Sequence, residues 1–255
     1  MVIGHSVRHR AIVATAGGDP AARTRILVIG CIHGDEPAGI AIARRLQHAH
    51  PPAGVVVWSI TVVNPDGVAA DTRQNAHRVD LNRNFPWRWR PIGRPGDQQY
   101  SGSHALSEPE SRATAAFIRR TDPAVTIWFH QPLGLVDESG GNIAIECRYA
   151  RLVHLPLRRL TRYPGSAARL AGRRAADDHR LRRRAPCGPP EHARRHALCP
   201  RRSAPRRELQ SGFTVAPIAG HPGVVRHMPV IAPARAAWPR CREIPYPSSR
   251  VRRRL

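Results

Sequence analysis

The chain has 255 residues and a formal net charge of +23, with 41 basic residues, all of them arginine, against 18 acidic ones. That length holds one α/β domain with or without an extension, and the charge is uneven: residues 1–168 hold 20 Arg against 13 Asp and Glu, a net of +7, while residues 169–255 hold 21 against 5, a net of +16. An odd set of cysteines without a CxxC pair (Cys31, Cys147, Cys187, Cys199, Cys241) argues against a disulfide framework or a cysteine metal knuckle, and the lack of a signal-peptide pattern or a membrane-length apolar run predicts a cytoplasmic protein with no membrane partner.

In chain order, Ala11–Thr15 and Arg25–Ile32 read as strands separated by the turn Gly17-Gly18-Asp19-Pro20. Pro37 opens a helix whose apolar face is Ile40, Ala43 and Leu46. Val55–Val63 is a buried strand that ends at Asn64-Pro65-Asp66-Gly67. Ser107 reads as an N-cap, with Glu110 completing a capping box, and Val125–Phe129 is a further buried strand. The alternation predicts an α/β fold over residues 1–168: a doubly wound, mostly parallel but mixed sheet with helices on both faces. Residues 169–255 break the pattern. Arginine runs such as Arg182-Arg183-Arg184 alternate with prolines and with short apolar pieces such as Phe213-Thr214-Val215-Ala216, a composition too poor in apolar surface to offset its ordering entropy. The expectation is a truncated domain followed by a poorly structured Arg/Pro-rich tail.

His33 and Glu36 lie three residues apart on the loop leaving the Arg25–Ile32 run, where an open α/β sheet places its chemistry, so an imidazole and a carboxylate can turn toward one cation. His130, directly after Val125–Phe129, is the candidate third ligand. Two histidines and a carboxylate leave a fourth position for water, the pattern of a catalytic rather than a structural Zn2+ site. A single His-x-x-Glu is common by chance, and a strand-end histidine is more often a packed one; the surrounding motifs carry the weight. In Arg73 to Phe85, Asn82 and Arg83 form an anchor suited to a free C-terminal carboxylate, because the guanidinium fork binds carboxylates bidentately. Arg83 paired with a surface acid is the plainer alternative.

These elements resemble the zinc carboxypeptidases of the carboxypeptidase A type, in their compact bacterial form. The likeness covers roughly residues 3–168 and rests on His33-x-x-Glu36, Asn64-Pro65-Asp66-Gly67, Asp80 to Phe85, Tyr100-Ser101-Gly102, Ser107-Glu108-Pro109-Glu110 and His130-Gln131-Pro132. It implies that His33, Glu36 and His130 ligate Zn2+, that Asn82 and Arg83 hold the carboxylate of a peptide substrate, and that Arg73 faces the oxyanion developing on the scissile carbonyl. It also implies that Tyr163 closes over the substrate. In such a mechanism zinc polarises the carbonyl and acidifies water, while a glutamate takes the proton and passes it to the leaving amine.

The resemblance implies that glutamate on a late strand of the type Phe-Val-Val-Glu-Leu-Pro-Ala-Gly, and this chain has none; Glu191 and Glu208 sit in Pro/Arg-rich surroundings. Leu181 to Gly188 can be encoded so that reading one base later spells Phe-Val-Val-Glu-Leu-Pro-Ala, and the same shift lets Leu170-Ala171-Gly172 yield Trp-Gln. The expectation is a reading frame that slips near Ala168, impaired or absent hydrolysis, and a sheet left with unpaired edges where the strand is missing. Two other readings compete: a zinc deacylase of the aspartoacylase or succinylglutamate desuccinylase type, and a non-catalytic arginine-rich nucleic-acid binder. The tail's charge supports non-specific phosphate binding, but with no stacking platform or reading helix no specific nucleic acid is expected. Fragments of cell-wall peptides suit a cytoplasmic recycling role, and the sequence assigns no oligomeric state.

Overall fold

The computed structural model describes residues 1–139, 141–160, 163–172 and 211–216. Residues 173–210 and 217–255, where composition predicts disorder, lie outside the described residues. The sheet has eight strands: β1 (Val2–His5), β2 (Ala11–Gly17), β3 (Thr24–Ile29), β4 (Val55–Ile60), β5 (Val125–Phe129), β6 (Leu135–Asp137), β7 (Leu157–Arg158) and β8 (Ser211–Ala216). Their spatial order is β1-β2-β4-β3-β5-β8-β6-β7. Pairs β3/β4, β3/β5, β5/β8 and β6/β7 are parallel, while β1/β2, β2/β4 and β6/β8 are antiparallel. The mixed, mainly parallel centre is the predicted one.

The helices are α1 (Ala38–Leu46), α2 (Pro65–Ala70), α3 (Pro109–Thr121), α4 (Ile143–Leu152) and α5 (Ala168–Gly172). Strand alternation sends Leu27, Ile29, Ile60 and Trp128 to one face, where they meet Phe117 and Ile118 of α3 and Ala168 of α5. Ile26, Val28, Val57, Ile127 and Phe129 point to the other, against Ile42 of α1 and Tyr149 and Ala150 of α4. Both faces of a parallel sheet are thereby covered, which is why β3 and β4 read as continuous apolar runs.

Several local expectations are corrected. The buried face of α1 centres on Gly39, Ile42 and Ala43, with Ile40 only half-buried. Asn64 does more than end a strand: it N-caps α2, its Oδ1 accepting from the Gly67 N–H, with Pro65 at the first helical position. The capping box at Ser107 does not form. The N-cap of α3 is Glu108, which makes no side-chain cap, because Glu110 accepts instead from the Val7 N–H and the Asn75 amide. Strands β1, β6 and β7 and helix α4 carry too little periodicity to be read locally.

The largest correction lies in the tail. The position beside β5 is filled: Ser211–Ala216 pairs parallel with β5 and antiparallel with β6, so neither edge is left open there. Phe213-Thr214-Val215 is the tail's β-favouring run, and the unpaired backbone of two neighbouring strands is the template that orders it.

Candidate metal centre

Because β3 and β5 are parallel neighbours, their carboxyl ends lie together, and the loops that follow carry His33, Glu36 and His130. The first loop is held by the Val63 N–H to the Cys31 carbonyl and the Glu36 N–H to the His33 carbonyl. A Cβ at Gly34 would overlap the Gly67 backbone, so glycine is what lets the loop lie against α2. After His130 the chain turns through a cis Gln131–Pro132 bond. The Gln131 N–H donates to Glu36 Oε2 and its side-chain oxygen accepts from the Ala38 N–H, fastening the two loops together.

The three ligand candidates converge and are all buried. His33 Nδ1 lies 3.0 Å from Glu36 Oε1, His130 Nδ1 lies 2.8 Å from Glu36 Oε2, and the two Nδ1 atoms are 3.2 Å apart. Two ring nitrogens that face each other cannot both carry protons, whereas a cation held by both lone pairs and the carboxylate satisfies all three. The His2Glu donor set and its closeness fit zinc. On the far side of the ring, His33 Nε2 meets Asp80 Oδ1 at 3.1 Å, an outer carboxylate that fixes the tautomer with Nδ1 free for metal.

The ionisation states agree. Burial pushes the Glu36 and Asp80 carboxyls upward, but His130 and His33 around Glu36, and His33 with Arg73 and Arg83 around Asp80, hold both well below the usual carboxylate range. Burial lowers His130 and favours its neutral form; at His33 burial is outweighed by Asp80 and Glu36, and the net direction is upward.

Of the residues the resemblance assigned to substrate, Arg73 points into the centre, its Nη1 donating to Glu36 Oε1 at 3.1 Å and its Nε to Asp80 Oδ2 at 3.0 Å. Asn82 lies beside the metal ligands, its Nδ2 3.5 Å from His130 Nε2 and its Oδ1 accepting from the Ala167 N–H. Arg83 is buried on the same one-turn 3₁₀ helix, with a Tyr163 ring 4.3 Å from its guanidinium carbon and an Nε that has no acceptor. A buried, unpaired guanidinium donor marks where an anion fits. Gly165, at φ +73°, lets the Tyr163 loop lie directly on the Arg83 backbone. Sequence reasoning gave no role to Asp80, Asn75, Glu108 or Glu110; their partners lie up to 47 residues away, and an aspartate two positions before Asn82 was the one available signal.

Among the described residues, the carboxylates hydrogen-bonded within this centre are Glu36 and Asp80, and both are engaged. On the free side of β5, Val215 is level with Phe129, which sets Ala216 level with His130.

Residues 53–133 match the zinc carboxypeptidase family. The murein peptide amidase A of Escherichia coli strain K12 is 32% identical over 129 residues, covering 46% of this chain and 53% of that protein. Among solved structures, the murein-tripeptide amidase from Escherichia coli O157 superposes with a TM-score of 0.54 at 26% identity, over 70% of this chain and 78% of that one. The α/β domain is of the zinc carboxypeptidase type. The carboxypeptidase A of Helicoverpa armigera has the same fold, with a TM-score of 0.54 at 19% identity over 67% of this chain and 55% of that one. The chain spans about half the length of the curated relatives it matches. No helix among the described residues of this zinc carboxypeptidase-type chain is long and apolar enough to cross a membrane.

Proposed function

We propose that this chain binds zinc through His33, Glu36 and His130, captures short peptides by their C-terminal carboxylate, and hydrolyses them poorly or not at all. The observation that carries this reading is the convergence of two imidazole nitrogens and a carboxylate beside an arginine, Arg83, whose buried Nε lacks an acceptor. When bound, zinc supplies Lewis-acid polarisation of a carbonyl and acidifies water. Asn82 and Arg83 grip the terminal carboxylate, Tyr163 stacks over that grip, and Arg73 offers positive charge where the carbonyl oxygen becomes negative. A proton acceptor is the missing part, since Ala216 stands level with His130 and the carboxylates of the centre are engaged. The relatives that act on murein peptides support cell-wall peptides as the substrate class.

A reading frame that changes near Ala168 accounts for the missing glutamate, and sequencing codons 160–190 decides that point: a coding string without the embedded Phe-Val-Val-Glu-Leu reading sinks it. For the function, purified full-length chain is titrated with zinc and then with the murein tripeptide, an N-acylated dipeptide and an acylated amino acid, with binding and product release followed separately. The expected result is one zinc per chain, binding of peptides with a free carboxylate, and product near background. Ordinary peptidase rates would overturn the account of the missing base; failure to bind zinc would overturn the site.

A further inference from the structure

Arg73 is a long side chain on a loop without regular structure, between α2 and the 3₁₀ turn, yet it reaches Glu36 and Asp80 at once. Something must fix its aim. Its carbonyl accepts from Asn64 Nδ2 at 3.3 Å. Two residues on, the Asn75 side chain closes the turn from inside, its Oδ1 accepting from the His77 N–H at 3.1 Å and the Val79 N–H at 3.0 Å while Arg78 adopts φ +60°. The other end of the same amide donates both protons outward, to Glu108 Oε2 at 2.8 Å and Glu110 Oε2 at 3.1 Å. Those carboxyls are fastened in turn: Glu108 Oε1 accepts from Ser107 Oγ and Glu110 Oε1 from the Val7 N–H. Asn75, Glu108 and Glu110 are all buried, and burial, with Glu108 contributing, raises the Glu110 carboxyl. Two acids buried side by side on one amide are costly wherever an apolar contact could hold the turn.

We infer that Asn75, clamped by Glu108 and Glu110 at the start of α3, is a positioning residue that aims the Arg73 guanidinium at the charge developing on a bound carbonyl. This rests on the proposed role of Arg73, and its test separates the two. The zinc-loaded full chain is titrated with a phosphinic pseudodipeptide, whose tetrahedral oxyanion imitates the developing charge, and with the corresponding planar dipeptide. Arg73→Ala should weaken the phosphinic ligand roughly hundredfold, the loss typical of one preorganised oxyanion donor. Asn75→Ala should weaken it at least about tenfold, leave the planar dipeptide within about threefold, and add little to Arg73→Ala in the double variant. Glu108→Ala should behave like Asn75→Ala, while Glu108→Gln, which keeps an acceptor for the amide, should restore tight binding; this pair carries the test if Asn75→Ala does not fold. If Arg73→Ala has no selective effect, the role of Arg73 fails. If Arg73→Ala is selective and the clamp variants weaken both ligands equally or neither, the positioning inference is overturned.

Discussion

Replacing Asp80 with asparagine tests how much of the metal centre depends on its outer carboxylate. Asp80 is fully buried, and its two oxygens serve three donors: Oδ1 takes His33 Nε2 at 3.1 Å and the Asn82 N–H at 2.9 Å, and Oδ2 takes Arg73 Nε at 3.0 Å. An amide of the same shape can serve only one side. With its oxygen on His33 and Asn82 its NH2 confronts Arg73, and turned over it confronts His33 Nε2 and the Asn82 N–H. Either way the negative charge that makes the His33 Nδ1 lone pair a strong donor is lost. Changes in such outer partners typically cost roughly 10- to 100-fold in metal affinity, about 1.4–2.7 kcal/mol, in line with the roughly 1.5–3 kcal/mol of a hydrogen bond to a charged group. Zinc affinity is read by competition with a chromophoric chelator near neutral pH, with near-UV circular dichroism as the check on folding. Arg73→Ala is the control, since it removes the third donor and leaves the His33 contact in place. A folded Asp80→Asn protein that binds zinc within threefold of the parent chain, or an Arg73→Ala protein that loses as much, refutes the reasoning.

Ala216→Glu sets a carboxylate level with His130, and turnover of the murein tripeptide should rise from background by roughly a hundredfold or more, the usual contribution of a positioned base; a folded, zinc-loaded variant without that gain contradicts the account of the missing base. Glu146 is fully buried, and burial pushes its carboxyl up to about 7 against the opposing pull of Ser139 and Gly141. Because the fold prefers its neutral form, that stability is complete below about pH 4.5 and is lost as pH rises to about 7, a change of up to about 3 kcal/mol. Urea unfolding of Glu146→Gln against the parent chain should show the difference confined to that window, and parallel pH profiles exclude it. Burial pushes the Cys31 thiol up to about 12, so iodoacetamide near pH 8 should modify it only after unfolding; rapid alkylation of the native protein contradicts its placement.

The metal centre was legible because its three ligands sit in local patterns, an apolar run followed by His33-x-x-Glu36 and another followed by His130, and each run is long enough to be a strand on its own evidence. The Asn82–Arg83 anchor was legible because those residue types suit one anion. The clamp on Asn75 was not, because Glu108 and Glu110 read more simply as the start of a helix, and only the approach of the loop before the 3₁₀ turn makes them its acceptors. Strand β8 was hidden for a related cause: Phe213-Thr214-Val215 is too short to announce itself among arginines and prolines, and becomes a strand because β5 and β6 present unpaired backbone on either side.

Hydrophobic periodicity and residue chemistry, both readable along the chain, were enough for an α/β sheet, a zinc centre of two histidines and a glutamate, and a grip for a carboxylate. Which strands stand side by side, and therefore that His33 and His130 meet, that Asp80 backs one of them and that Ala216 falls level with the other, came from the folded sheet. Those relations join residues tens of positions apart, and no local pattern encodes them before parallel pairing brings the strand ends together.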